Sequence, residues 1–361
     1  MSETAKLKSV RARIDSIDNE ILRLINERAF AAQEVARIKR ESGEDGDLYR
    51  PAREVAILNR ICTANPGPLP RDDVIRLFRE LMSACLALQQ PLRVAFLGPQ
   101  GTFTQEAALK HFGHGMHSLA QESIDAVFRE VESGNADYGV VPVENSTEGV
   151  VTHTLDRFMS SPLQIVGELE LPIRHCLASK ETDQAAIRQV FSHPQGLAQC
   201  RLWLDHNLPG AQRLPLNSTA EAARLAAETR HAAAVAGVAA AQHYALTVLY
   251  SNIQDGAANT TRFLVLGNHS PPSTGEDKTS VVVSRVDKPG GLATLLAPLA
   301  RYGLNMSRIE SRPSRQGMWE YVFFIDILGH AEDPILRRAL DEMQQLASLL
   351  KILGSYPRAA H

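Results

Sequence analysis

The sequence predicts a multidomain protein that passes through three fold classes: all-α over residues 1–90, α/β over 91–268 and, beyond a linker at 269–277, α+β of ferredoxin-like pattern over 278–361. Three observations carry this reading. Apolar residues recur at helical spacing, with no Gly or Pro, from Lys6 to Glu41, the pattern of a long amphipathic helix. From Leu92 the period changes to short apolar runs alternating with helical stretches, which is the α/β signature. After the turn-rich run NHSPPSTGED (268–277) the order becomes β-α-β-β-α-β.

The first helix carries its stripe on Val10, Ile14, Ile17, Ile21, Leu24, Ile25, Val35 and Ile38, and from Lys6 to Glu41 it would span roughly 54 Å. A break at Gly43–Gly46 separates it from a second helix, opened by Pro51 and running to about Ala64. NPGPLP then turns the chain into a third helix from about Arg71 to Gln89, striped by Val74, Leu77, Phe78, Leu81, Cys85 and Leu88 and ended by Pro91. In the middle zone LRVAFLG, DYGVVPV, LQIVGELEL, RHCLAS, QVFS, HAAAVAG and TRFLVLG read as strands, and Ser218 with Glu221 caps a helix over 219–230. The last zone offers strands TSVVVSRV, LNMSRIESR, WEYVFFIDIL and a short KILGSY, with helices at roughly 290–302 and 333–350.

A net charge of −3 gives no electrostatic reason to expect nucleic acid or an anionic membrane as partner. No run of 18 apolar residues predicts a membrane span, and MSETAKLKSV lacks the apolar core of a signal peptide. Four cysteines (62, 85, 176, 200) without CxxC pairing fit the reduced thiols of a cytoplasmic protein. His111, His114 and His117 in HFGHGMH lie on no regular face and read as a solvated loop, so no metal and no cofactor is expected.

Cations extend the stripe of the first helix. Arg28 follows Leu24 by four residues; Lys39, eleven further on, lies about 20° round from it, and Arg11 about 100° away on a different surface. Buried cations cost several kcal/mol unless an anion meets them, and no acidic run is an obvious partner, which points to an anionic ligand. Arg53 and Glu54 beside Pro51, and Gln89 four residues after Cys85, add polar groups. The set Arg11, Arg28, Lys39, Arg53, Glu54 and Gln89 resembles the ligand set of the all-helical chorismate mutases, over residues 1–90. The resemblance implies an intertwined dimer in which each long helix bridges two sites. It also implies that Arg11 and Arg28 clamp the carboxylates of chorismate, with Arg53 also at the substrate, while Lys39 and Gln89 face the ether oxygen and Glu54 accepts from the ring hydroxyl. The Claisen rearrangement to prephenate needs no nucleophile and no proton transfer. It needs a dianion held compact and a positive charge or donor at the breaking ether. Gln89 donates without a proton of its own, so activity should not require acidic pH. Arg50 and Cys85 stand where the family pattern has Asp and Ser.

In the α/β zone GPQGTFT (98–104) follows a strand and opens a helix, where backbone N–H groups and the Thr102 and Thr104 hydroxyls can hold a carboxylate or hydroxyl; it lacks Walker and dinucleotide spacing. VPVENSTEG (141–149), SHPQGLAQC (192–200) and NTTRF (259–263) are further polar loops at strand ends, and four such loops predict a shared crevice. With HCL (175–177) these motifs closely resemble prephenate dehydratase over about residues 92–267. The resemblance implies two lobes like a periplasmic binding protein, 92–170 with 250–267 and 171–249, and a site in the cleft between them. Thr261 would be catalytic with Arg262 beside it, and Thr102, Glu144, Asn145, Ser192 and Gln199 would line the cleft. Dehydration expels the ring hydroxyl with CO₂ and needs an acid near that hydroxyl. Threonine is a poor acid in water, so an assisting environment is implied.

PGGLATLL (289–296) and IESRP (309–313) look like the ACT regulatory fold of phenylalanine-sensitive dehydratases. By resemblance Gly290, Gly291, Leu292, Asn305, Met306, Glu310, Ser311 and Arg312 bind the effector between paired domains. Together the resemblances imply a cytoplasmic bifunctional enzyme, a homodimer or higher, acting on chorismate and prephenate under phenylalanine feedback. The alternatives are a monofunctional dehydratase with a structural N-terminal dimerisation domain, and a non-catalytic amino-acid-sensing binding protein.

Overall fold

The Gly- and Pro-free N-terminal run forms one helix, α1 (Glu3–Glu41), in a computed structural model that describes residues 3–42, 49–256, 259–285, 288–313 and 321–359. The break expected at Gly43–Gly46 and the start of the WEYVFFIDIL strand (Trp319 and Glu320) lie outside the described residues. Helix α2 (Pro51–Ala64) begins on a proline, whose missing N–H is one the first turn would leave unpaired anyway. Helix α3 (Arg71–Ala87) buries Val74, Ser83 and Cys85. Contacts divide the chain into one unit of residues 1–50, 57–92 and 112–117 and a second of 51–56, 93–111 and 118–361.

In the first unit α1 packs on α3. The histidine-rich segment, expected as a solvated loop, is tied to α3: His114 Nδ1 meets Glu80 Oε1 at 2.8 Å and Gly115 N–H donates to Ser83 Oγ at 3.0 Å. A Cβ on Gly115 would sit 2.6 Å from the Ser83 carbonyl oxygen, so only glycine fits that approach.

The second unit runs in order through β1 (Arg93–Leu97), α4 (Phe103–Phe112), β2 (His117–Gln121), α5 (Ile124–Glu132), β3 (Tyr138–Asn145), β4 (Gly149–Val150), α6 (Thr152–Ser160) and β5 (Gln164–Pro172). It continues through β6 (Cys176–Ser179), β7 (Gln189–Ser192), α7 (Pro194–Gln199), α8 (Arg201–Asn207), β8 (Gln212–Pro215), α9 (Thr219–Glu228), β9 (Ala232–Ala236), α10 (Val238–His243), β10 (Thr247–Ser251) and β11 (Thr260–Gly267). Two sheets result, ordered β2-β1-β3-β11-β5, with β4 on β3, and β10-β6-β9-β7-β8. The chain crosses from the first to the second after β5 and returns between β10 and β11. The return lies later than the sequence implied, because β10 pairs antiparallel with β6 and stays in the second lobe. That lobe's core is built on alanine: Ala220, Ala222, Ala223 and Ala226 of α9 lie against the fully buried β9, small side chains that let helix and sheet approach closely. Ser218 caps α9 as its spacing predicts, accepting from Glu221 N–H at 3.0 Å.

The remaining elements are β12 (Asp277–Ser284), α11 (Gly291–Arg301), β13 (Met306–Pro313), β14 (Tyr321–Leu328), α12 (Pro334–Leu346) and β15 (Leu349–Pro357). Their antiparallel sheet has the order β13-β14-β12-β15, the ferredoxin-like arrangement. Strand β15 is longer than KILGSY alone, pairing along β12 as far as Asp277↔Pro357. Alternation gives this sheet two buried faces. Val281, Val283, Ile325 and Ile327 pack under α11 and α12, whereas Val282, Val322, Phe324, Leu353 and Tyr356 join the core of the first lobe. At this junction β15 runs so close to β5 that a Cβ on Gly354 would collide with the Ile165 carbonyl oxygen.

Candidate active site

Strand ends of both lobes converge on a cavity of about 820 Å³ whose wall includes Thr102, Thr104, Asn145, His175, His193, Gln199, Arg224, Asn259 and Thr261. Strands β3 and β11 pair with Thr261 opposite Asn145, and the Asn145 Nδ2 group donates to Thr261 Oγ at 2.8 Å and to Asn259 Oδ1 at 2.7 Å. The other end of that amide is fixed as well, because Asn145 Oδ1 accepts the backbone N–H groups of Thr147 and Glu148, each at 3.0 Å. The Thr261 oxygen is therefore an acceptor within the protein, which leaves its O–H to donate elsewhere. Thr261 is buried.

On the opposite wall Gln199 Oε1 accepts from Asn259 Nδ2 at 3.1 Å and meets His175 Nε2 at 2.9 Å. Burial lowers the pKa of His175, partly opposed by its hydrogen bond to Gln199, and so favours the neutral ring. His193 caps α7, and its pKa is likewise lowered by burial against the opposing charge of Glu148. Thr102 spends its hydroxyl on the backbone, donating to the Leu97 carbonyl at 3.0 Å and accepting from Gln105 N–H at 3.4 Å.

Three residues expected at the cleft face elsewhere. Ser192 is fully buried, and its Oγ donates to the Val235 carbonyl at 2.7 Å, bracing β7 on β9 beneath the cavity floor. Glu144 and Arg262 are each the strand neighbour of a cavity residue and so point to the other face. Glu144 Oε2 meets Arg308 Nε at 2.7 Å. Arg262 pairs with Glu168 at 2.7 Å and Asp326 at 2.6 Å and donates to Tyr356 OH at 3.1 Å, while Lys278 meets the other Glu168 oxygen at 2.7 Å. Burial opposes the Arg262 charge, but Tyr356, Asp326 and Glu168 outweigh it and raise its pKa. Sequence reasoning missed Asn259 and Arg224 as cavity residues. Among the described residues Arg224 is the only Arg or Lys in the wall.

The residues expected to bind an anion in the N-terminal segment lie on α1 (Arg11, Arg28, Lys39), in the first turn of α2 (Arg53, Glu54) and just past α3 (Gln89). Among the described residues Arg11, Arg28 and Lys39 have no carboxylate partner; the ion pairs of α1 belong to Arg23 and Arg37. Cys85, in place of the expected Ser, is buried in α3. In the C-terminal segment Gly290 takes the left-handed conformation (φ 73°) that opens α11, Gly291 is buried under it, and Leu292 is exposed. Asn305 precedes β13, the edge strand that carries Met306, Glu310 and Ser311. Arg312 turns towards α6, donating to the Thr152 carbonyl at 2.7 Å and meeting Asp156 at 3.2 Å.

Comparison with known proteins gives three family matches: Chorismate mutase type II over residues 10–90, Prephenate dehydratase over 94–271 and ACT domain over 279–343. The chain is 52% identical over 363 residues to the bifunctional chorismate mutase/prephenate dehydratase of Stutzerimonas stutzeri, across 99% of this chain and 100% of that one. The chain belongs to the bifunctional chorismate mutase/prephenate dehydratase family. It is also 40% identical to the prephenate dehydratase of Amycolatopsis methanolica, over 74% of this chain and 89% of that one. Among solved structures, that of prephenate dehydratase in complex with L-Phe from Arthrobacter aurescens matches with TM-score 0.69 and 37% identity, covering 74% of this chain and 90% of that chain.

Proposed function

We propose that the helical segment converts chorismate to prephenate, that the two-lobed cleft converts prephenate to phenylpyruvate, and that phenylalanine held by the C-terminal segment restrains the second reaction. The observation that carries the dehydratase reading is the Asn145–Thr261 contact, which leaves the threonine proton as a donor in the cavity. In the reaction the electron pair of the ring C–CO₂⁻ bond moves into the ring, the opposite C–OH bond breaks, and the departing oxygen leaves as water with the Thr261 proton, which a proton from solvent replaces; phenylpyruvate, CO₂ and water result. Arg224 and the polar start of α4 supply anchors for the carboxylates. Glu144 and Arg262 then act from behind the wall, and Ser192 from beneath it.

For the mutase, the unpaired Arg11, Arg28 and Lys39 favour an external dianion. Arg11, Arg28 and Arg53 bind its carboxylates, Lys39 and Gln89 stabilise the ether oxygen as it gains charge, and Glu54 accepts from the ring hydroxyl. Along α1, Leu7, Val10, Ile14, Ile17, Ile21 and Leu24 are exposed, on a helix whose 39 residues span about 58 Å. A second copy of this chain is the proposed cover, giving a dimer in which α1 serves two mutase sites. Phenylalanine binds at Gly290, Gly291 and Leu292 and at Asn305, Met306, Glu310 and Ser311, with Arg312 tying the binding strand to α6. The described thiols are unpaired, and burial pushes Cys176 to about 11 and Cys200 to about 12, which fits inert cysteines of a cytoplasmic enzyme.

A coupled assay from chorismate tests the assignment. Thr261→Ala should stop phenylpyruvate formation while prephenate accumulates; Arg28→Ala should abolish prephenate formation and leave turnover of added prephenate intact. A chain that makes neither product overturns the proposal.

A further inference from the structure

The hydrogen bonds at Thr261 continue into a chain whose direction is fixed at both ends. Asn145 Oδ1 is held by two backbone N–H groups, which can only donate, so Asn145 Nδ2 must face Asn259 and Thr261. At the far end Gln199 Nε2 faces the Glu148 carboxylate at 3.5 Å, which can only accept, so Gln199 Oε1 must face His175 and Asn259. Asn259 fits between them in one orientation alone, accepting from Asn145 and donating to Gln199. His175 must then present a protonated Nε2. Its Nδ1, buried and without a partner among the described residues, is the bare acceptor nitrogen of that neutral tautomer. The Phe103 ring stands edge-on to the imidazole at a centroid distance of 5.7 Å.

We infer that Asn259 and His175 are positioning residues for the dehydratase: through Gln199 and Asn145 they hold the Thr261 hydroxyl as a donor to the departing oxygen. This rests on the proposed dehydratase reading and adds a requirement to it. Three amides and an imidazole are oriented before substrate arrives, so the acid does not have to reorganise during the reaction. The chain also joins the lobes, since Gln199 stands on α7 of the second and Asn145 on β3 of the first.

Prephenate turnover by the full chain tests this, with the circular dichroism spectrum and thermal midpoint of the same preparations as the control for folding. Asn259→Ala and His175→Phe should each lower kcat at least about tenfold, short of the roughly 10²–10⁴-fold that a positioned acid contributes, with KM changed less than about threefold. His175→Gln, which replaces the Nε2 donor by an amide nitrogen at the same reach, should recover most of kcat. Full kcat in Asn259→Ala, or an equal loss in His175→Gln and His175→Phe, would overturn the inference. Wild-type protein with no prephenate turnover would instead overturn the dehydratase reading itself.

Discussion

Thr261 and Arg262 are consecutive residues with opposite tasks, and strand alternation separates them. Arg262 sits at the centre of a balanced set of buried charges in which Glu168 and Asp326 have side chains only 4% and 6% exposed. Arg262→Ala leaves Asp326 without its cation and Glu168 with Lys278 alone, at the junction of the first lobe and the C-terminal sheet. Breaking one side of a buried pair costs about 3–5 kcal/mol, so denaturant unfolding should show a loss of that size, only part of it recovered by Arg262→Lys, which cannot span both carboxylates. His175 gives a pH dependence. Its folded pKa lies below the ordinary value of about 6.5, so the unfolded chain takes up the proton first as pH falls. The stability it contributes is full above about 6.5 and drains away as pH drops towards the folded pKa. The thermal midpoint should therefore fall less steeply with acidification in His175→Gln than in the wild type. An identical pH slope in the two proteins would remove His175 as the cause. At this scale the motifs led to the cavity wall at Thr102, Asn145, Gln199 and Thr261. They did not reveal which of two strand neighbours faces inwards, which is why Glu144 and Arg262 were expected beside them. Nothing local marks Arg224, a helix residue that only the fold brings to the cleft.

Among elements, the strands legible in the sequence are chiefly those that are covered on both sides. β1, β3, β7, β9 and β11 occupy inner positions and read as unbroken apolar runs. Those that escaped notice, β2, β8 and β10, are sheet edges with polar or mixed composition, and β4 has only two residues. Edge strands satisfy half of their backbone in the ladder and half in solvent, so they need no apolar run and leave no strong pattern. Helix α1 shows the opposite case: its period was plain, but the stripe remains uncovered, with Ile14 51% and Ile21 48% exposed. Burial of such side chains is worth about 1.5–3 kcal/mol each, enough over a stripe of this length to hold two copies together. Ile14→Glu combined with Ile21→Glu should weaken self-association in sedimentation and abolish mutase activity while prephenate turnover persists. Sedimentation of the wild-type chain as a monomer at micromolar concentration would eliminate the shared-site dimer.

For the whole molecule, the C-terminal sheet is part of the dehydratase rather than an appendage to it. Val282, Phe324 and Tyr356 share a core with Val141 and Leu264 of the strands that present Asn145 and Thr261. Polar contacts follow the same route, because Arg308 on the edge strand β13 holds Glu144, the neighbour of Asn145. A ligand that binds differently to two positions of β13 must therefore bias the cleft, and linkage makes the bias mutual. Calorimetry should show the phenylalanine Kd changing in the presence of saturating phenylpyruvate, by a factor of about 5–150, the usual range of such coupling. Phenylalanine should change the phenylpyruvate Kd by that same factor. Arg308→Ala removes the contact behind Asn145 without touching the Gly290–Gly291 turn, so phenylalanine should still bind while the two affinities become independent. If the coupling were undiminished in Arg308→Ala, the signal would have to pass through the shared apolar core and the Arg262 charges instead.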